Sequence, residues 1–203
     1  MTIEQALRKL GLDPKYINNL EAFLTLFAKW NKSINLSAAS SRGELLGHLT
    51  DSLHVVPHLG AHAETLRSMA PEPRDVRVLD VGSGGGFPVV VAAICAPSIQ
   101  FTALEPVHKK HAFLRTAARE LGLSNLDPLA ERLEDHEPRD YDAAMSRATL
   151  DLREWLEAGS KRVVDGGLVL GFEAVRRDDL PAAVERHAYS IDAKPRTIVV
   201  LHR

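Results

Sequence analysis

From Val78 to Pro88 the chain reads Val-Leu-Asp-Val-Gly-Ser-Gly-Gly-Gly-Phe-Pro: an apolar run meets an acid at Asp80 and turns through Gly82, Gly84 and Gly86 into Phe87. Glycines take side chains out of the way, admit positive φ and let the backbone approach a ligand, while N–H groups at a helix start suit an anionic group. The pattern is that of a nucleotide-type cofactor site at the tip of a buried strand. The dinucleotide fingerprint GxGxxG would need glycine at 87 or 89, where Phe87 and Val89 stand, so the loop is GxGxG. The next apolar run, Ile99–Leu104, ends in Glu105, a carboxylate able to accept both ribose hydroxyls of an adenosyl group. That contact suits a nicotinamide dinucleotide and S-adenosylmethionine alike.

Other polar residues carry less. His48 and Asp51 lie three apart on one helical face with Ser52 adjacent, placed either to bond a substrate or to link a helix to the core. No Ser-His-Asp or Cys-His constellation is evident. Nor do the nine histidines and Cys95 show metal-ligand spacing, since His108 and His111 make only one i, i+3 pair.

Two kinds of element must position these groups. Residues 1–73 are expected to form a helical extension: Asp13-Pro14 is a cap and first-turn proline, and Ile17, Leu20, Leu24, Phe27 and Trp30 follow at helical spacing. A second helix is expected from about Gly43 to Leu59, then a linker from Met69 to Asp75. Residues 74–203 alternate strand and helix, with strands near 76–81, 99–105, 126–130, 141–146 and 167–173 and helices near 88–96, 107–121 and 151–164. That rhythm specifies an α/β fold with a doubly wound, Rossmann-like parallel sheet. Two tail segments, 188–193 and 197–202, are expected to pair antiparallel across Lys194-Pro195-Arg196.

A chain of 203 residues, 45% hydrophobic, is long enough for one substantial core with an appendage. With 25 Lys plus Arg against 27 Asp plus Glu there is no global basic field, so nucleic acid contacts must be local. Lys29, Lys32 and Arg42 are candidates, as is the helix bearing His108, Lys109, Lys110, Arg115 and Arg119. A lone cysteine in an apolar segment fits a reducing compartment. With no secretory leader and no stretch approaching the roughly 18 apolar residues of a membrane span, a cytoplasmic chain is expected.

The segments Trp30-Asn31-Lys32-Ser33-Ile34-Asn35-Leu36, His48-Leu49-Thr50-Asp51-Ser52, Asp80 to Pro88, Arg132-Leu133-Glu134-Asp135 and Ser146-Arg147-Ala148 resemble, in order and spacing, those of the bacterial 16S rRNA guanine-N7 methyltransferases called RsmG or GidB. The resemblance implies the class I methyltransferase fold, S-adenosylmethionine as cofactor, and 16S rRNA or the small ribosomal subunit as partner. It also implies that Gly82 and Phe87 line the cofactor site, Leu133 and Glu134 flank its adenine, Arg147 closes the pocket and Glu105 meets the ribose. Loop amides near Gly84 and Gly86 would take the methionine carboxylate and Asp80 its ammonium. Guanine N7 has a lone pair and no proton, so transfer needs positioning rather than a general base. His48, Asp51 and Ser52 are then substrate-side candidates. The chain departs from the family pattern at Gly47, where arginine is usual, at Gly85 and Val89, and after Arg176, where no family motif is evident. A small-molecule methyltransferase and a non-catalytic ribosome-associated binding protein are the alternatives. A monomer is the working expectation, though no residue pattern decides the oligomeric state.

Overall fold

The computed structural model describes residues 1–39, 41–72, 74–137 and 140–203. Its first helix, α1 (Ile3–Lys9), was not among the expectations. The signal is a capping box: Thr2 Oγ1 accepts the Gln5 N–H at 3.2 Å while Gln5 Oε1 accepts the Thr2 N–H at 2.8 Å. Asp13 caps a short 3₁₀ turn (Pro14–Tyr16) that leads into α2 (Ile17–Ile34), whose buried face is Leu20, Phe23, Leu24, Leu26 and Phe27. The single helix expected over 43–59 is two, α3 (Arg42–Leu53) and α4 (Val55–Met69), separated at His54. Pro57 explains the break. It has no N–H for the carbonyl four residues back, and its ring crowds that carbonyl, so the helix is interrupted one turn earlier. Pro73, within the expected linker, lies outside the described residues.

Beyond the linker come β1 (Val76–Val81), α5 (Val89–Cys95), β2 (Ile99–Leu104), α6 (His108–Glu120), β3 (Leu126–Leu129), β4 (Tyr141–Ser146), α7 (Leu152–Ser160), β5 (Val163–Glu173), β6 (Glu185–Ile191) and β7 (Lys194–His202). They form one seven-stranded sheet in the order β3-β2-β1-β4-β5-β7-β6. Strands β1 to β5 are parallel, and β7 enters antiparallel between β5 and β6. Strand order reverses between β1 and β4. A crevice for a ligand is expected there, outside the carboxyl ends of the strands.

Two boundaries differ from expectation for local reasons. Strand β5 starts at Val163, because the β4–β5 register slips between Tyr141 and Ala143 and Gly166 takes φ +79°, so Val163 and Val164 join the sheet instead of ending α7. The hairpin turns at Asp192 and Ala193, with φ of +48° and +62°, and Lys194 pairs with Ile191. Lys194, Pro195 and Arg196 therefore lie within β7 rather than in the connection. Pro195 faces only β6, since the β5 pairing begins at Thr197, and its missing N–H interrupts no second ladder.

The N-terminal helices and one face of the sheet share a single core. Phe23 and Phe27 of α2 lie 5.0 Å and 5.2 Å, centroid to centroid, from Phe87 of the glycine loop, and Phe113 of α6 completes the cluster. All seven residues of α5 are buried, and burial pushes the Cys95 thiol up to about 12, so it stays protonated. Phe23→Ala is expected to cost about 3–5 kcal/mol in urea denaturation, the range for a buried phenylalanine that leaves a cavity. A loss below about 1 kcal/mol would show that α2 lies outside the cooperative core.

From the α3–α4 junction onwards, His54, His58 and His62 recur every fourth residue. His54 stacks on Tyr189 of β6 at 3.7 Å, His58 meets the ring of His187 at 4.4 Å, and His62 Nε2 lies 3.0 Å from the Asp142 carbonyl. Burial lowers the pKa of all three, that of His54 to about 4.

Candidate functional site

At the carboxyl end of β1 the loop folds back over β2. The N–H groups of Gly82 and Ser83 both donate to the Leu104 carbonyl at 3.0 Å. Gly82 has φ +70°, and a Cβ there would fall 2.1 Å from Thr149 Oγ1, so no other residue fits without moving the connection between β4 and α7. Gly84, at φ +52°, is different: the nearest atom to its Cβ would be 3.7 Å away, and the residue borders a cavity of about 360 Å³. Phe87, Glu105, Lys110, Arg147 and Thr149 line it with the glycines. Gly86 faces Val90 of α5, whose Cγ2 its Cβ would meet at 2.5 Å, rather than this cavity.

Glu105 is 4% exposed and acts as a clamp. Its Oε2 accepts the Gly84 N–H and its Oε1 the Val107 N–H, each at 2.8 Å. The carboxylate expected to meet a ribose thus also holds the loop, with one lone pair on each oxygen still available. Asp80, just before the loop, is 1% exposed, and neither carboxylate oxygen has a hydrogen-bond partner. Burial pushes its pKa up to about 7. Nearby Ser83 and Arg147 hold it down and Glu105 adds to the rise, although the Ser83 hydroxyl itself bonds the Asp80 carbonyl at 3.2 Å. A buried carboxylate without a partner is costly, and a cationic ligand group is what would satisfy it.

The opposite wall is a network. Arg147 Nη1 donates to Asp51 Oδ2 at 3.2 Å and to His48 Nδ1 at 3.3 Å, and its guanidinium lies 5.5 Å from the Phe87 ring centroid. Because arginine only donates, His48 Nδ1 accepts, which leaves the proton on Nε2. Burial and the Arg147 charge lower the His48 pKa in keeping with a neutral ring. Asp51 Oδ1 accepts the Tyr189 hydroxyl at 2.6 Å, and burial pushes that phenol up. His48, Asp51 and Arg147 are therefore brought together as a unit. Ser52 is not part of it: fully buried, its hydroxyl donates to the His48 carbonyl at 2.7 Å within α3.

The family model described as "rRNA small subunit methyltransferase G" (GidB) matches residues 16–203. The chain belongs to this family. Curated relatives named ribosomal RNA small subunit methyltransferase G include that of Methylobacillus flagellatus, 36% identical over 84% of this chain and 78% of that one. The Azoarcus sp. relative is 38% identical over 86% and 78%. Among solved structures, magnesium protoporphyrin IX methyltransferase of Synechocystis PCC 6803, solved with bound SAM, superposes with a TM-score of 0.62 at 13% identity, over 89% of this chain and 97% of that one. It has the same Rossmann-like methyltransferase fold.

Within this GidB chain some expected positions lie elsewhere. Leu133 and Glu134 border a separate cavity with Ala158, Lys161 and Arg162. Their segment is tied towards α7, because Arg162 donates to the carbonyls of Leu133 and His136, while the His136 ring sits between Glu131 and Tyr141. Arg42 is ion-paired with Glu21, Arg119 lies 3.7 Å from Glu120, and Lys110 belongs to the cavity wall rather than to the free face of α6. His111 Nε2 lies 3.1 Å from the Pro128 carbonyl. Among the described residues, no group of three or more His, Cys, Asp and Glu could hold a metal. Tyr189 is the site residue that sequence reading missed. No local pattern marks it, and only the placement of β6 beyond β7 carries it to Asp51.

Proposed function

We propose that this chain is an S-adenosylmethionine-dependent methyltransferase acting on N7 of a guanine in 16S ribosomal RNA. The observation that carries the reading is Asp80, a carboxylate buried without a partner two residues before the glycines that line the cavity, behind its wall. It fits the α-ammonium of the cofactor, as Glu105 fits its ribose and the space beside Gly84 its closely approaching backbone. When bound, the cofactor supplies an electrophilic methyl group on a sulfonium. The chain's own residues then have to hold and orient. Arg147, fixed by Asp51 and His48 and laid over Phe87, shapes the wall of the cavity. The Nε2–H of neutral His48 is a donor suited to an acceptor on the base. No residue is needed as a base, because N7 has no proton to lose. Residues 1–73 serve as a helical extension that supplies one wall, and residues 74–203 as the methyltransferase domain. The relatives' names refer to ribosomal RNA, and among the described residues no helix is long and apolar enough to cross a membrane, which supports action where ribosomes are.

Gly84→Val is expected to weaken S-adenosylmethionine binding by about tenfold or more in calorimetry, because the side chain fills the backbone-approach space and φ is left-handed. Unchanged affinity would place the cofactor elsewhere. The function itself is tested by transfer of labelled methyl from S-adenosylmethionine to naked 16S rRNA and to small subunits. The product should become open to borohydride and aniline cleavage at a single 7-methylguanine. Transfer to neither substrate would return the small-molecule methyltransferase to first place.

A further inference from the structure

A second hollow, of about 560 Å³, lies beside the first. One wall is the early part of α3, with Gly43, Gly47 and His48, and the other is the β6–β7 hairpin, with Ile191, Lys194 and Arg196. Only a thin partition separates the two hollows. Leu36 and Ser37 face the cofactor cavity while the next residues, Ala38 and Ala39, face the groove. Likewise Arg147 borders the cavity, and the two groups that hold it, His48 and Asp51, border the groove.

The charges are not evenly committed. Asp51 is held by Arg147 and Tyr189, and Glu44 closes the α3 capping box by accepting the Ser41 N–H at 2.9 Å and hydroxyl at 3.0 Å. Arg196 donates to the neighbouring Pro195 carbonyl, and neither it nor Lys194 makes an ion pair among the described residues. Lys194 is exposed and Arg196 half-buried, and Asp192 is the one acid of the groove left beside them. A cation pair on the rim of a groove that ends at the methyl-transfer wall suits a polyanion. Gly47 leaves that route open: its Cβ would make only an ordinary 3.9 Å contact with Ile191 Cγ2, so packing does not require glycine there despite its cost within a helix.

We infer that this groove carries the single-stranded RNA segment on which the target base is presented, with Lys194 and Arg196 contacting its phosphates. The inference rests on the reading of the chain as an rRNA methyltransferase. An unstacked base reaching the partition would pass His48 before it meets the cavity wall at Arg147.

The test is the double variant Lys194→Gln, Arg196→Gln, read in two ways. In methyl transfer, the KM for small-subunit RNA should rise about tenfold, with the S-adenosylmethionine dissociation constant, the melting temperature and kcat at saturating RNA unchanged. In anisotropy with a fluorescent twelve-nucleotide single-stranded RNA, binding should weaken and its dependence on log salt should flatten by about 1.4, the contribution of two phosphates. The pair Lys109→Gln, Arg115→Gln on α6 serves as the control and should move neither reading. Equal RNA binding by wild type and the hairpin variant overturns the inference, as does a larger effect from the α6 pair. If wild-type protein transfers methyl to no ribosomal RNA, the functional reading fails, and the oligonucleotide measurement still decides whether this groove holds RNA.

Discussion

Asp80→Asn is expected to weaken S-adenosylmethionine binding by roughly two to three orders of magnitude while making the unliganded protein more resistant to urea. The loss follows from removing one member of a buried charge pair that forms only when the cofactor binds. The gain follows because the carboxylate is 1% exposed and unpartnered in the free protein, where burial raises its pKa from 3.8 to about 7. Relief of that buried charge, less the cost of hiding an unpaired amide, leaves a net gain of roughly 1–3 kcal/mol above pH 7. Loss of both binding and stability would mean that Asp80 is a structural group.

The same substitution should change how stability depends on pH. A carboxyl whose folded pKa is raised contributes stability that is present below pH 3.8 and lost as pH rises through about 7. The histidines act in the opposite sense. His48, His54, His58 and His62 have folded pKa values lowered from 6.5, chiefly by burial, so their contribution is present above 6.5 and lost as pH falls, for His54 through about 4. Asp51 and Glu185 beside them moderate the shifts; Arg147, Lys9 and His187 strengthen them. The two trends oppose one another in wild-type protein between about pH 4 and 6.5. Urea midpoints of Asp80→Asn should therefore climb more steeply with pH over that interval, and identical profiles for the two proteins would refute the assignment.

Arg147→Ala is expected to lower kcat/KM for methyl transfer by about 10²–10³, the usual size for removing one preorganised electrostatic group from an enclosed site. Among the described residues, the guanidinium is the one group that touches the cavity, His48, Asp51 and Phe87 together. Its removal also leaves Asp51 with Tyr189 alone. Tyr189→Phe keeps the stack on His54 and deletes just the hydroxyl, so it should give a smaller loss in the same direction. If Arg147 acts through this network, the effects of the two substitutions will not add. Additive losses would separate the hairpin from the site.

Much of the sheet and its glycine loop was legible because single residues decide them. The apolar run Val76, Val78, Leu79 and Val81 and the acid at Glu105 follow from local pattern, the Ser146-Arg147 pair from the family resemblance, and β1, β2 and β4 stand where they were expected. The helix α1 was legible in principle, through Thr2 and Gln5. What could not be read was set by distant parts of the chain. Tyr189 meets Asp51 across 138 residues, Leu133 is bonded through its carbonyl by Arg162 and borders a cavity other than the one at the glycine loop, and the hairpin turn falls at Asp192 and Ala193, where Ile191 pairs with Lys194. Ser52 looked available to a substrate only because nothing local shows that its hydroxyl is spent on its own helix.

Strand β7 lies between β5 and β6, so a strand made after both of its neighbours is threaded into the sheet's interior. During translation the glycine loop, Glu105 and Arg147 all emerge first, yet Asp51 gains its tyrosine partner only after the hairpin has left the ribosome. A nascent chain halted before β6 would display an open β5 edge and an Asp51 held by Arg147 but not yet by Tyr189.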